Sequence, residues 1–314
     1  MAATITNRSS TKSGGNIMEE EATTNLLKNR HITATINSGK KLCSWNDLPD
    51  WQKDNEYIIS GYVLETNSLT QSIKSLFYLH NESVNIYTHL LPGICFLLVI
   101  LFFNTHVIKI YDSTTGIDYF MINLFFAGCF TCLMMSSTFH CLKSHSEKVS
   151  IFGNKLDYLG IVVLIMTSMI SLMYYGFYDA RFLFYIFSGI CTVLGLSCGY
   201  VSLSEKFRSR EWRVFRAGMF VVFGLSALLP IICGTIYYGI RQTWIRIQVK
   251  WVLLGGVFYI IGAFIYGIRF PEKNLPGSFD IWGHSHQIFH VLVVCGTLAH
   301  LKALLGAYEN AHEM

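Results

Sequence analysis

The sequence predicts an all-α membrane protein: a seven-transmembrane helix bundle with its N-terminus cytosolic and its C-terminus extracellular or lumenal, preceded by an amphipathic helix on the cytosolic face. Three observations carry this prediction. Apolar residues make up 52% of the 314, and the mean hydropathy is +0.40. Charged residues are only 14%, against about 25% in a soluble domain. The apolar excess is also gathered into seven runs, each near the roughly 20 residues that a helix needs to cross hydrocarbon.

Residues 1–43 are polar and rich in Ser, Thr and Asn, the composition of a disordered cytosolic tail. No apolar stretch follows Met1, so no cleavable signal peptide is expected. Residues 44–86 form a juxtamembrane segment, in which Trp45 and Trp51 suit docking against headgroups or the bundle. There Leu69, Ile73, Leu76, Phe77 and His80 recur at helical spacing, the pattern of an amphipathic helix at the membrane face.

The transmembrane domain follows over 87–305, with spans at 87–108, 119–142, 156–177, 182–203, 215–240, 249–268 and 284–305. Each carries Tyr, Trp or Phe near one or both ends, as interfacial belts require. Connections are short, and no run alternates as a barrel strand would. Pro92 and Pro230 are expected to kink their spans. Residues 306–314 are left as a short C-terminal tail.

Lysine and arginine set the orientation. Ten lie in loops on the N-terminal side and six on the other, the bias that places the N-terminus in the cytosol. This is opposite to a G-protein-coupled receptor. Eight of the nine cysteines fall inside spans, which is no disulfide framework, and Cys129 and Cys132 read as small buried thiols.

Ionisable groups are costly in hydrocarbon, so those present mark function. In HNESVNIYTH, Glu82, Asn85 and His89 share one helical face entering the first span. Ser136 and His140 are one turn apart at the end of the second, and Asp157 opens the third. In HSHQIFH, His286 and His290 stack at i and i+4 at the start of the seventh, while His284 projects elsewhere and is left out. With alternating spans, all of these arrive at one depth, near the cytosolic face.

Two imidazoles on one helix and a third from another suit a tetrahedral Zn²⁺ whose fourth position is open to water, the arrangement of catalytic zinc. Zinc lowers the pKa of such a water towards neutrality. The expected ligands are therefore His140, His286 and His290. Asp157 is placed to orient or deprotonate the water, and Ser136 to hydrogen-bond a ligand, the water or a developing oxyanion. Glu82 and Asn85 read as a structural polar cluster holding helix ends together.

The stretches WNDLPDWQKDNEYIISGY, NESVNIYTHLLPG, SSTFHCLKSHSEKVSIFGNKLDYLGI and FDIWGHSHQIFHVLVV resemble the progestin and adipoQ receptor family, which is haemolysin-III related, and are close to the adiponectin receptors and their fungal relatives. The resemblance implies seven helices with a cytosolic N-terminus and zinc on the histidines matching His140, His286 and His290. It places the family's Asp at Asp157 and its Ser at Ser136. It also implies receptors of lipid and energy metabolism, several of them hydrolysing the ceramide amide, with fungal members tied to sterol, lipid and zinc homeostasis.

Three functions follow as expectations. One is a zinc-dependent hydrolase of a lipid amide such as ceramide, with the acyl chain held between the glycine-rich spans. A second is a signalling receptor whose zinc is purely structural. Zinc transport is disfavoured, because transport sites lie near the midplane and the outer halves of the polar-bearing spans are almost wholly apolar. The expected partners are membrane lipids, a lipid substrate or ligand within the bundle and an extracellular protein ligand, but no nucleic acid. The expected location is the plasma membrane or an endomembrane.

Overall fold

The structure, a computed structural model, describes residues 42–207 and 210–313. The polar tail up to residue 41 lies outside the described residues, as does Arg208. Seven helices are long and apolar enough to cross a membrane: Ser83–Phe102, Gly116–Leu142, Glu147–Gly176, Arg181–Leu203, Val214–Tyr238, Val249–Ile268 and Ser285–Glu313. The chain is a multi-pass integral membrane protein built as a seven-helix bundle. The spans fall where hydropathy alone puts them, because a run of about 20 apolar residues has no other way to satisfy its backbone in lipid.

The differences lie in details that hydropathy does not encode. Pro92 sits inside the continuous helix Ser83–Leu98, and the irregularity comes later, as a π-helical turn over Val99–Phe103. The fifth span is broken, with helices Arg213–Leu225 and Leu228–Tyr238 joined at Ser226 and Ala227. Pro230 falls in the first turn of the second piece, where its missing N–H would have no intrahelical partner anyway. Residues 306–313, expected as a tail, continue the last helix to Glu313. They are held there by distant partners: Glu313 accepts from Lys109 Nζ at 3.0 Å, Tyr308 donates to the Lys109 carbonyl at 2.6 Å, and His312 Nε2 lies 3.3 Å from Asp118 Oδ1.

The juxtamembrane segment is better tied than expected. Leu42 and Cys43, assigned to the tail from sequence, pair antiparallel with Val63 and Tyr62. The amphipathic stretch is only a short helix, Leu69–Lys74, followed by a 3-10 turn over Ser75–Phe77. Its orientation inverts that of a soluble helix. Ser72 and Ser75 are buried against the protein, whereas Leu69, Ile73 and, at 83% exposure, Phe77 project away from it. His80 is not on this helix. It is buried in the turn that leads into the first span.

The second and third spans form the interior. About half of each apolar window is buried (56% and 50%), against 17% and 11% for the fifth and sixth. Phe125, Phe126 and Leu133 of the second span pack with Tyr175 of the third and Leu304 and Tyr308 of the seventh. Two glycines set the closest approaches to a neighbouring main chain. A Cβ on Gly160 would lie 3.0 Å from Cys132 Cα, and one on Gly255 3.1 Å from the Gly296 carbonyl oxygen. The Cys129–Cys132 turn is thus helix packing, with both thiols free and buried. In the sixth span, Gly255 and Gly262 bring the seventh span close.

One end of the bundle is covered. There the segment 54–60 lies against the loop between the sixth and seventh spans. Asp280 accepts from the Ile59 and Ser60 amides, each at 2.8 Å, and from Ser60 Oγ at 2.7 Å. Gly277 donates its amide to the Tyr57 carbonyl at 3.1 Å, and Arg269 Nη2 donates to the Asp54 carbonyl at 2.7 Å. This is the end where the first, third and seventh spans begin and the second finishes.

Candidate metal centre

His140 occupies the last turn of the second span, and His286 and His290 the first two turns of the seventh. The fold brings all three together. Their ring centroids are 4.8 to 4.9 Å apart, at interplanar angles of 63° to 83°. One ligand atom from each lies within 4.8 Å of the others. His140 and His290 are buried, and His286 is half-buried.

The hydrogen bonds decide which nitrogens are free for a metal. His290 Nδ1 lies 3.0 Å from the Asn85 carbonyl, which can only accept, so Nδ1 donates and Nε2 keeps its lone pair. His140 Nδ1 donates to Glu82 Oε2 at 2.8 Å, and its buried Nε2 has no hydrogen bond. A carboxylate or carbonyl behind each imidazole, fixing its tautomer, is the arrangement found around metal-binding histidines. The donor set therefore fits a metal ion.

Glu82 and Asn85 stand where the sequence put them, and their contacts are specific. Asn85 Nδ2 donates to Glu82 Oε2 at 2.5 Å, and Lys143 Nζ to Glu82 Oε1 at 2.7 Å. Burial works against ionising Glu82, yet the Lys143 ammonium and the His140 imidazole hold its carboxyl well below the usual carboxylate range. Burial likewise opposes the charge on Lys143, and Glu82 outweighs it, raising the amine above its ordinary value.

Ser136 and Asp157 line the same cavity as His286 and His290. Ser136 Oγ is buried and approaches the Asp157 carboxyl without a hydrogen bond of good geometry. The cavity measures about 280 Å³ and is mostly apolar, with Ile161, Ile165, Phe220 and Ile260 among its walls. It runs further than the sequence suggests: Thr243 and Arg246, near the opposite end of the bundle, also line it. A second cavity of about 40 Å³ lies on the covered side, lined by Asn55, Asn81, Glu82, Lys143 and His284, and shares His286 and Tyr266 with the first. His286 thus stands between a long apolar space and a small polar one.

Four side chains at the site escaped the sequence reading. Lys143 reads as one more loop cation. Arg216, counted there as an orientation charge, is buried on the cavity wall. Glu272, fully buried, accepts from the Ser285 amide at 2.8 Å and from the Ser285 hydroxyl, holding the start of the seventh span. His89, unassigned from sequence, stacks on His290 with centroids 3.7 Å apart and planes 4° from parallel. Only the shared face of Glu82, Asn85 and His89 hints at the last. His284 stays outside the cluster as expected, its Nε2 3.3 Å from the Asn81 carbonyl.

Comparison with known proteins gives a consistent result. A family model described as haemolysin-III related matches residues 77–301. The chain is 55% identical over 273 residues to the ADIPOR-like receptor IZH2 of Saccharomyces cerevisiae, covering 87% of this chain and 86% of that one. It is 46% identical over 270 residues to the ADIPOR-like receptor IZH1 of Eremothecium gossypii, covering 86% and 85%. Identity to the adiponectin receptor protein of Drosophila melanogaster is 39% over 268 residues, covering 84% of this chain and 59% of that one.

Proposed function

Because this chain belongs to the haemolysin-III-related family, as a fungal member of its progestin and adipoQ receptors, we propose that it is a zinc protein of lipid metabolism and metal homeostasis that hydrolyses a lipid amide such as ceramide. The observation that carries this reading is the position of the histidine cluster. Three imidazoles converge, and two of them, His286 and His290, line an apolar cavity that Asp157 and Ser136 also line. A purely structural zinc is normally closed by a fourth protein ligand. Among the described residues, the cluster has three.

Zinc bound here would supply Lewis acidity and an acidified water at neutral pH. The chain supplies the rest. Glu82, fixed by Lys143 and Asn85, orients His140. The Asn85 carbonyl orients His290. Asp157 takes the proton released as the water oxygen bonds to the acyl carbon, and Ser136 Oγ donates to the carbonyl oxygen as charge develops on it. Asp157 then returns the proton to the amide nitrogen as the C–N bond breaks, releasing the amine and the fatty acid. The apolar cavity receives the acyl chain, and the small polar cavity stands on the side of the juxtamembrane segment. In this reading the N-terminus faces the cytosol, so hydrolysis takes place at the cytosolic end.

The relatives' names favour a second reading, a receptor for an extracellular protein ligand in which zinc only ties the second and seventh spans together. Asp157→Asn separates the two. Metal content by mass spectrometry and turnover of a fluorescent N-acyl sphingosine are measured on purified protein in nanodiscs. The expected result is about one zinc per chain in both proteins, with turnover in the wild type falling at least a hundredfold in the variant. A zinc-loaded wild type without turnover would leave the receptor reading standing.

A further inference from the structure

His89 has no role in the chemistry above. It is 3% exposed and lines the large cavity. Its ring lies flat on His290, at 3.7 Å. Neither of its ring nitrogens makes a hydrogen bond of good geometry, and the nearest approach is to the His290 main chain. By contrast, His140, His284, His290 and His300 each engage a carboxylate or carbonyl through one nitrogen.

A neutral imidazole offers one donor and one acceptor. Burying both without well-made partners costs more than placing an apolar ring there, since each poorly paired group carries part of its desolvation penalty. Packing alone would be served as well by phenylalanine. The stack also fixes where the nitrogens lie, one ring thickness from a histidine of the metal cluster. Whatever pairs with them must sit beside a histidine of the metal cluster, in a mostly apolar space.

We infer that His89 is the specificity-determining residue of this cavity: it hydrogen-bonds a polar group of the bound lipid next to the carbonyl presented to the histidine cluster. A lipid that satisfies both nitrogens carries a donor and an acceptor together at that point, as a hydroxylated N-acyl amide does. A simple ester offers acceptors only, and a bare acyl chain offers neither. This inference rests on the proposal that the cavity binds a lipid.

The test uses the full chain in nanodiscs, loaded with zinc, and two probes of equal acyl length: N-dodecanoyl sphingosine and methyl dodecanoate. His89→Phe keeps the ring and its stack and removes both nitrogens, and His89→Gln restores a donor and an acceptor. The expected result is an unchanged zinc stoichiometry, unchanged binding of the methyl ester, and binding of the amide weakened about tenfold in the Phe variant and partly recovered in the Gln variant. Loss of zinc in the Phe variant would make His89 a support for His290 and overturn the inference. Equal effects on both probes, or none on either, would overturn it too. Binding is read separately from turnover: discrimination without hydrolysis in the wild type keeps this inference and removes the hydrolase, whereas hydrolysis with no discrimination removes this inference alone.

Discussion

Glu82 receives hydrogen bonds from Asn85, His140 and Lys143 on its two carboxylate oxygens. Glu82→Gln keeps the shape but turns one acceptor into a donor facing Lys143 or His140. Loss of such a partner behind a ligating imidazole weakens metal binding by about 10- to 100-fold. That fall is expected in zinc competition with a chelator, with helix content by circular dichroism unchanged; undiminished affinity would make Glu82 a helix tie only. At this scale much was legible. The i, i+4 pair His286 and His290 and the polar face of Glu82 and Asn85 show in the sequence, because helical spacing alone aligns them. Lys143 and His89 did not show, since a loop lysine reads as an orientation charge and a lone histidine on an apolar helix reads as packing.

Between elements, the second and third spans meet at Gly160 and Cys132. Gly160 lies one turn from Asp157, and Cys132 one turn from Ser136. Gly160→Val adds bulk against main chain, which cannot swing aside as a flexible side chain would. We expect a destabilisation of about 1–3 kcal/mol, seen as a lowered Tm in detergent. Turnover should fall further than stability explains, because Asp157 and Ser136 move apart. A Tm within a degree of wild type would show that the spans have room. The spans themselves were legible from hydropathy. The break at Ser226 and Ala227 was not, nor the helical course of residues 306–313, whose partners Lys109 and Asp118 lie some 200 positions away. The periodicity of 69–80 showed that a face exists but could not say which side met the protein.

Across the whole molecule, the alternation of spans was enough to bring every polar residue of the site to one end, and the structure gathers them there. The length of the cavity and the covering of that end were not legible, because both depend on how distant segments lie together. Asp280 is the main tie of the cover, with three hydrogen bonds to Ile59 and Ser60. Asp280→Ala is expected to release the segment 53–60, making the Lys53–Asp54 bond a new site of limited tryptic cleavage while the spans stay protected. An unchanged digestion pattern would mean that the remaining ties suffice, at Gly277, at Arg269 and at Glu272, which accepts from Asn55 Nδ2 at 3.1 Å.

The last helix is a single uninterrupted rod of 29 residues, about 43 Å long at 1.5 Å per residue. His286 and His290 are built into its first two turns, and His312 and Glu313 into its last, where Ser113, Asp118 and Lys109 hold them. A rod of this kind transmits rotation and axial shift along its full length. The contacts that hold His312 and Glu313 at one membrane face therefore anchor the same rod that carries two of the three imidazoles at the other.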